Sequence, residues 1–301
     1  MVITDLQSVF MSYVSSYASK DTYYFYNNVF NVFYEFLNNR DINCIDFCID
    51  CLNDDMLVSF IKYLRFEKKV KNVSVRTYVR AVKVFDNYCF NNGYKLEKIG
   101  SVKLPKDDRQ LKIPLSVREV DLLVSAIENM HYSVVDRNLC IFYLMLDCGL
   151  RLQEVCNLQL SDINFDLCVL YVQNSKNNKS RVVPVPSDLI SLLKHYLMQR
   201  DSNSKYVFIM SNGCVLTKSA VKNMFRKLKS IVPRVHAHLL RHTFATSYIM
   251  GGGSLEVLRV LLGHSSYNVT QFYISQATEM SISHYDIYRI NDVFFDKFSY
   301  R

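Results

Sequence analysis

The chain has 301 residues, half of them hydrophobic and 21% charged, which excludes a disordered polymer and leaves room for two packed cores. Eight Gly and five Pro leave few tight turns, so a mainly helical protein is expected. The formal charge of +8 fits a polyanionic partner such as nucleic acid, without requiring one.

The first hundred residues predict four helices. Leu6, Phe10, Tyr13 and Val14 recur at helical spacing, as do Phe25, Val29, Val32, Phe33 and Phe36. Asp54 is the expected cap of a third helix carrying Met56, Leu57, Phe60, Ile61 and Leu64. A fourth starts near Asn72 or Ser74 and repeats Val75, Tyr78, Val82, Phe85 and Tyr88, while Arg76, Arg80 and Lys83 form a basic stripe on its other side. Taken alone, such a stripe reads as a solvated face.

Gly93 and Gly100 break the pattern, and residues 101–116, with Pro105 and Pro114, read as an interdomain linker. Helical periodicity resumes at 117–130 and again at 137–146, with Gly149 as the expected C-cap. The β-rich runs 168–173 and 181–185, separated by the polar stretch NSKNNKS, predict a hairpin with a longer loop. A short YVFIM run follows, then helices near 217–230, 239–250 and 254–262. The fold class expected is mainly α with a small antiparallel β-sheet. The basic excess is uneven, +2 over residues 1–104 and +6 over the rest, so the second part is where cations are needed.

Several chemistries are excluded. No GxxxxGK[ST] loop, GxGxxG turn or HExxH pair occurs, which argues against enzymes driven by ATP or a nicotinamide. Cys44, Cys48 and Cys51 cluster without a fourth zinc ligand, and nine cysteines in all read as reduced thiols. His238 and His242 stand at i, i+4 with His236 close by, again without an acidic or Cys partner. No metal or other cofactor is expected. The stretch MVITDLQSVF lacks the features of a signal peptide, and apolar runs such as 140–146 are too short to span a bilayer, so a cytoplasmic protein is expected.

Phosphate-competent side chains stand at element ends. Arg151 follows Gly149 and opens a short helix with Glu154 one turn on, either an anion site or a plain surface pair. Lys176 sits at the tip of the expected hairpin. Then come His238-Leu-Leu-Arg241, a glycine-rich turn at 251–253, Leu261-Leu-Gly-His264, and Thr270-Gln-Phe-Tyr273.

These residues carry a resemblance to the tyrosine recombinases, the phage-integrase family. Residues 236–273 resemble its C-terminal signature: H-x-x-R, an L-G-H 23 residues past the arginine, and a tyrosine nine residues past that histidine. CGLRLQEV resembles the family's first-arginine box, and NSKNNKSRVVPV resembles its lysine hairpin. Ser175 and Asn177 stand where the family usually has glycines, which leaves Lys179 open beside Lys176.

The resemblance implies metal- and ATP-independent DNA strand exchange. Arg151 and Arg241 would meet the charge on the nonbridging phosphate oxygens, because their forks bind two oxygens and stay charged. His238 and His264 would add hydrogen bonds, and Tyr273 would be the nucleophile. Lys176 would be the general acid, with Glu154 orienting Arg151 or His264. It also implies a helical core-binding domain at 1–100, in which Arg76, Arg80 and Lys83 face DNA, followed by an α+β catalytic domain at 117–278. Lys179 and Arg181 are further expected DNA contacts. The apolar tail 279–301 would dock on a neighbouring protomer or pack in cis. Implied partners are double-stranded DNA with paired inverted sites and further copies of the chain, two on one site and four in synapsis, with no membrane. The layout is similar to the simpler Xer- or transposon-type enzymes. Topoisomerase-like relaxation of DNA and an idle DNA-binding regulator remain the alternatives.

Overall fold

A computed structural model describes residues 1–106, 113–173, 180–200 and 202–263. The chain divides into two compact units, Met1–Gln110 and Leu111–Arg301.

Unit 1 holds helices α1 (Ile3–Tyr17), α2 (Lys20–Asn38), α3 (Asp54–Lys62) and α4 (Asn72–Asn91). Their helical-period apolar positions meet in one core, where Phe10, Phe33, Phe36, Phe60 and Phe85 are all fully buried. Edge-to-face ring pairs such as Phe30–Phe85 at 5.0 Å and Phe33–Phe60 at 5.1 Å knit it together, each adding about 0.5–1.5 kcal/mol beyond buried area. The expected cap of α3 is corrected. Asn53, in extended backbone, accepts the Met56 N–H at 3.0 Å, while Asp54 accepts the N–H of Gly100 at 2.7 Å.

The chain leaving α4 stays pinned to this unit. The buried Lys95 ammonium pairs with buried Asp86, which also accepts the Ile99 N–H at 2.9 Å. Lys83 donates to the Gly100 carbonyl at 2.8 Å and Arg76 to the Pro105 carbonyl at 2.7 Å. The first residues of the expected linker, through Pro105, are thus tethered to α4.

Unit 2 opens with α5 (Val117–Glu128), capped by a reciprocal Ser116–Glu119 box. Arg234 then clamps Glu119 and the Pro114 carbonyl. Helix α6 (Tyr132–Leu146) runs through the core and buries every side chain from Cys140 to Leu146. The short α7 (Leu152–Asn157) follows, then an antiparallel sheet ordered β1 (Ile163–Asn164), β2 (Val169–Val172), β3 (Arg181–Pro184). The pairing Val172↔Arg181 puts the base of the expected hairpin in register.

Helix α8 (Ser187–Gln199) was not anticipated, although Leu189, Ile190, Leu193 and Tyr196 bury one face of it. The YVFIM run makes only single bridges, Gln159↔Tyr206 and Ile209↔Val215. Helices α9 (Lys218–Leu228), α10 (Ala237–Met250) and α11 (Leu255–Leu262) complete the described unit. The overall class is as expected, mainly helical with a small antiparallel sheet.

Candidate active site

Five element ends of unit 2 meet at one place: the end of α6, the start of α7, the start of β3, the first turns of α10 and the last turn of α11. Gly149 makes the first junction possible. Its φ of +62° lies in the left-handed region, and an added Cβ would stand 2.5 Å from the Phe244 ring, so only glycine fits. The chain there turns sharply and delivers Arg151 to the cap position of α7.

Three arginines converge on the end of α11. Arg181 donates from Nε to the Leu261 carbonyl at 2.7 Å, Arg241 from Nη2 to Leu262 at 2.6 Å, and Arg151 from Nη2 to Gly263 at 3.2 Å. Carbonyls in the last turn of a helix lack intrahelical donors and carry the negative end of its dipole, so cations belong there. Arg241 also reaches back to the Gly149 carbonyl at 2.5 Å. It is only 2% exposed, and a buried cation so fixed is preorganised in orientation.

Glu154 is the carboxylate of this cluster. Its Oε1 accepts from Arg151 Nη1 at 2.8 Å and from Arg181 Nη1 at 2.9 Å; its Oε2 accepts from Arg181 Nη2 and from the Arg151 backbone N–H, both at 2.7 Å. Burial pushes the Glu154 carboxyl up, but the hydrogen bonds and charge of Arg181, then of Arg151, outweigh that and hold it below its ordinary value. The Arg151 N–H is therefore taken by a carboxylate instead of standing open to an anion.

Arg181, expected to contact DNA, is 7% exposed and spends all three guanidinium nitrogens inside the protein. The reason is strand parity: Arg181 and Val183 share the buried face of β3, while Val182 and Pro184 face outward. Arg76 and Lys83 are likewise turned to carbonyls of their own chain, whereas Arg80 is exposed.

His238 lies in the first turn of α10, one turn before Arg241, and is exposed. It helps line a cleft of about 610 Å³ together with Leu152, the neighbour of Arg151, the α9 side chains Lys222 and Arg226, and Lys229 at the C-cap of α9. The sequence reading missed this basic face, although the four- and three-residue spacings from Lys222 to Arg226 to Lys229 were visible. His242 is buried, unlike His238, and among the described residues no group of three His, Cys, Asp or Glu side chains is placed to hold a metal. Nor, among them, is any helix long and apolar enough to cross a membrane. Lys176, Lys179, His264, Tyr273 and the 279–301 tail lie outside the described residues.

Known proteins match this chain along most of its length. The profile of the phage integrase family matches residues 114–280, and that of the phage integrase SAM-like domain matches residues 5–101. The tyrosine recombinase XerA of Thermococcus onnurineus is 32% identical over 230 residues, 73% of this chain and 77% of that protein. XerA of Pyrococcus furiosus is 33% identical, over 70% of this chain and 74% of its own. In fold, the chain is similar to the Tn1549 transposon integrase solved in complex with a circular intermediate DNA, with a TM-score of 0.75 at 18% identity over 91% of this chain and 95% of that one. A lambda integrase dimer bound to a COC′ core site gives a TM-score of 0.71 at 16% identity, again over 91% and 95%. The chain belongs to the phage integrase family, the tyrosine recombinases.

Proposed function

We propose that this chain is a site-specific DNA recombinase in which Tyr273 attacks the scissile phosphate within a cationic pocket built on Arg151 and Arg241. The Tyr273 phenolic oxygen bonds to phosphorus, the bond to the 5′ oxygen breaks, and Lys176 gives that oxygen its proton. The product is a 3′-phosphotyrosyl link and a free 5′ hydroxyl. Attack by a partner strand's 5′ hydroxyl reverses the chemistry and joins the new strand, so no nucleotide cofactor is needed.

The observation that carries the reading is the convergence of Arg151 and Arg241 at the end of α11, beside a cleft lined by His238 and the α9 cations. Charge grows on the nonbridging oxygens of a phosphodiester under in-line attack, and two fixed guanidinium charges, the outer Arg151 and the buried Arg241 behind it, match it. A free phenol ionises near pH 10, and the same cations favour its phenolate. His238 and His264 add hydrogen bonds to those oxygens, and His238 helps handle protons. The cations of α9 suit the backbone of double-stranded DNA, and the Tn1549 integrase was solved with a circular intermediate DNA. Two copies on one site and four in synapsis fit a reaction that exchanges strands between paired sites. Residues 1–100 serve as the second DNA-holding domain, and 117–278 as the catalytic one. The relatives at 30% identity or more are recombinases, which favours strand exchange over relaxation.

The test is covalent capture. A pool of nicked duplexes with random half-sites, incubated with the full chain in EDTA, should leave protein attached to 3′ ends. Tyr273→Phe should bind the selected duplex and capture none of it. Capture by the Phe variant, or capture only with Mg²⁺, would contradict the mechanism.

A further inference from the structure

We propose that Arg181 is a positioning residue for DNA cleavage: it occupies Glu154 so that Arg151 keeps its charge for the scissile phosphate. The inference rests on the function proposed above and adds a role to a residue outside the expected catalytic set.

The geometry is unequal. Arg181 grips both carboxylate oxygens of Glu154, at 2.9 and 2.7 Å, while the Arg151 side chain reaches only Oε1, at 2.8 Å. Side-chain exposure is unequal too, 4% for Arg181 and 10% for Glu154 against 38% for Arg151. The inner arginine is thus the counter-ion of the carboxylate, and the outer one is the cation left facing solvent. Remove the Arg181 charge, and Glu154 has only Arg151 among these three to neutralise it. An incoming phosphate would then compete with a largely buried carboxylate for one guanidinium, in surroundings where charge interactions are strong.

Arg181 also sets position. Its Nε holds the Leu261 carbonyl, next to the carbonyl that takes Arg241. Gly263, at a left-handed φ of +61°, leaves room for it, since a Cβ there would stand 3.1 Å from Arg181 Nη1. Because Arg181 begins β3 opposite Val172, it joins the base of the lysine hairpin to the arginine cluster. A lysine at 181 would keep the charge and lose the fork.

The experiment compares single-turnover capture by the full chain on the duplex that wild type selects. Arg181→Met should bind that duplex within about twofold of wild type and cleave about 10²-fold more slowly, as expected for a misplaced reacting group. Arg181→Lys should lose less. The decisive variant is Arg181→Met with Glu154→Gln, which removes the competing charge and keeps a hydrogen-bonding side chain; it should recover at least about tenfold over Arg181→Met. A residue that merely supports the fold would show no such recovery. If Arg181→Met does not fold, as judged by thermal unfolding, Arg181→Gln serves in both single and double variants. Wild-type rates in the uncharged single variant, or no recovery in the double, would overturn the proposal. If wild type itself captures no DNA, the functional reading fails instead.

Discussion

Both units fix cations on backbone carbonyls, yet only one builds a site from them. In unit 1, Arg76 and Lys83 hold Pro105 and Gly100 separately, and the surrounding core is a lattice of phenylalanines. In unit 2, Arg181, Arg241 and Arg151 hold three successive carbonyls, Leu261, Leu262 and Gly263, with Glu154 among them and a cleft beside them. A lone cation on a carbonyl ties down a segment. Several cations on adjacent carbonyls, two of them sharing one carboxylate, concentrate positive charge at a point, which phosphoryl transfer requires.

The sharpest way to break this comparison separates the cluster from the proton donor. Lys176→Ala should cleave ordinary DNA about 10²–10⁴-fold more slowly, as for a lost general acid. A substrate with sulfur in place of the bridging 5′ oxygen needs little protonation, so the variant should cleave it near the wild-type rate. Arg241→Ala should stay slow on both substrates if, as proposed, its charge serves the nonbridging oxygens. Rescue of Lys179→Ala in place of Lys176→Ala would move the acid to Lys179.

A second test breaks the cluster through its backbone. Gly149→Ala forces an L side chain into left-handed φ and into the Phe244 ring. A destabilisation of about 1–3 kcal/mol is expected from the strain alone, read by thermal unfolding. Gly93→Ala in unit 1 has a similar φ of +73° but open space around its Cβ, so it should cost less. Equal losses at the two glycines would remove the steric part of the argument.

The smallest effect sharpens the contrast between tether and site. Lys222→Ala and Arg226→Ala should each weaken DNA binding across sequences and lower the salt slope by about one. Arg76→Ala should leave the slope unchanged, because its guanidinium is engaged with Pro105. A drop in slope for Arg76→Ala would return that residue to the DNA-facing set.

Much of this was legible in the sequence, and the gaps have physical causes. Periodicity located α1–α5, α9 and α11 because one face of each is buried; α6 and α10, buried over consecutive residues, were legible as apolar or motif-bearing runs. β-rich composition marked β2 and β3. Nothing in the sequence assigned the short YVFIM run, and it forms only single bridges around the buried Val207 and Phe208. Helix α8 had visible periodicity but follows two prolines closely, which obscured its start. Arg181 could have been turned inward by the same alternation that buries Val183. Its partners could not have been read, since Glu154 and Leu261 lie 27 and 80 residues away. The spaced motifs named Arg151, His238 and Arg241 as a set; the order in which they take the α11 carbonyls is a tertiary fact.

The most direct test identifies the residue that carries the DNA. Protein captured on the selected duplex can be digested with protease and nuclease and the adduct located by mass spectrometry among the chain's 21 tyrosines. A nucleotide phosphate is expected on Tyr273 alone, at the 3′ end of the cleaved strand. Attachment at any other tyrosine, or through a serine or a 5′ phosphate, would contradict it.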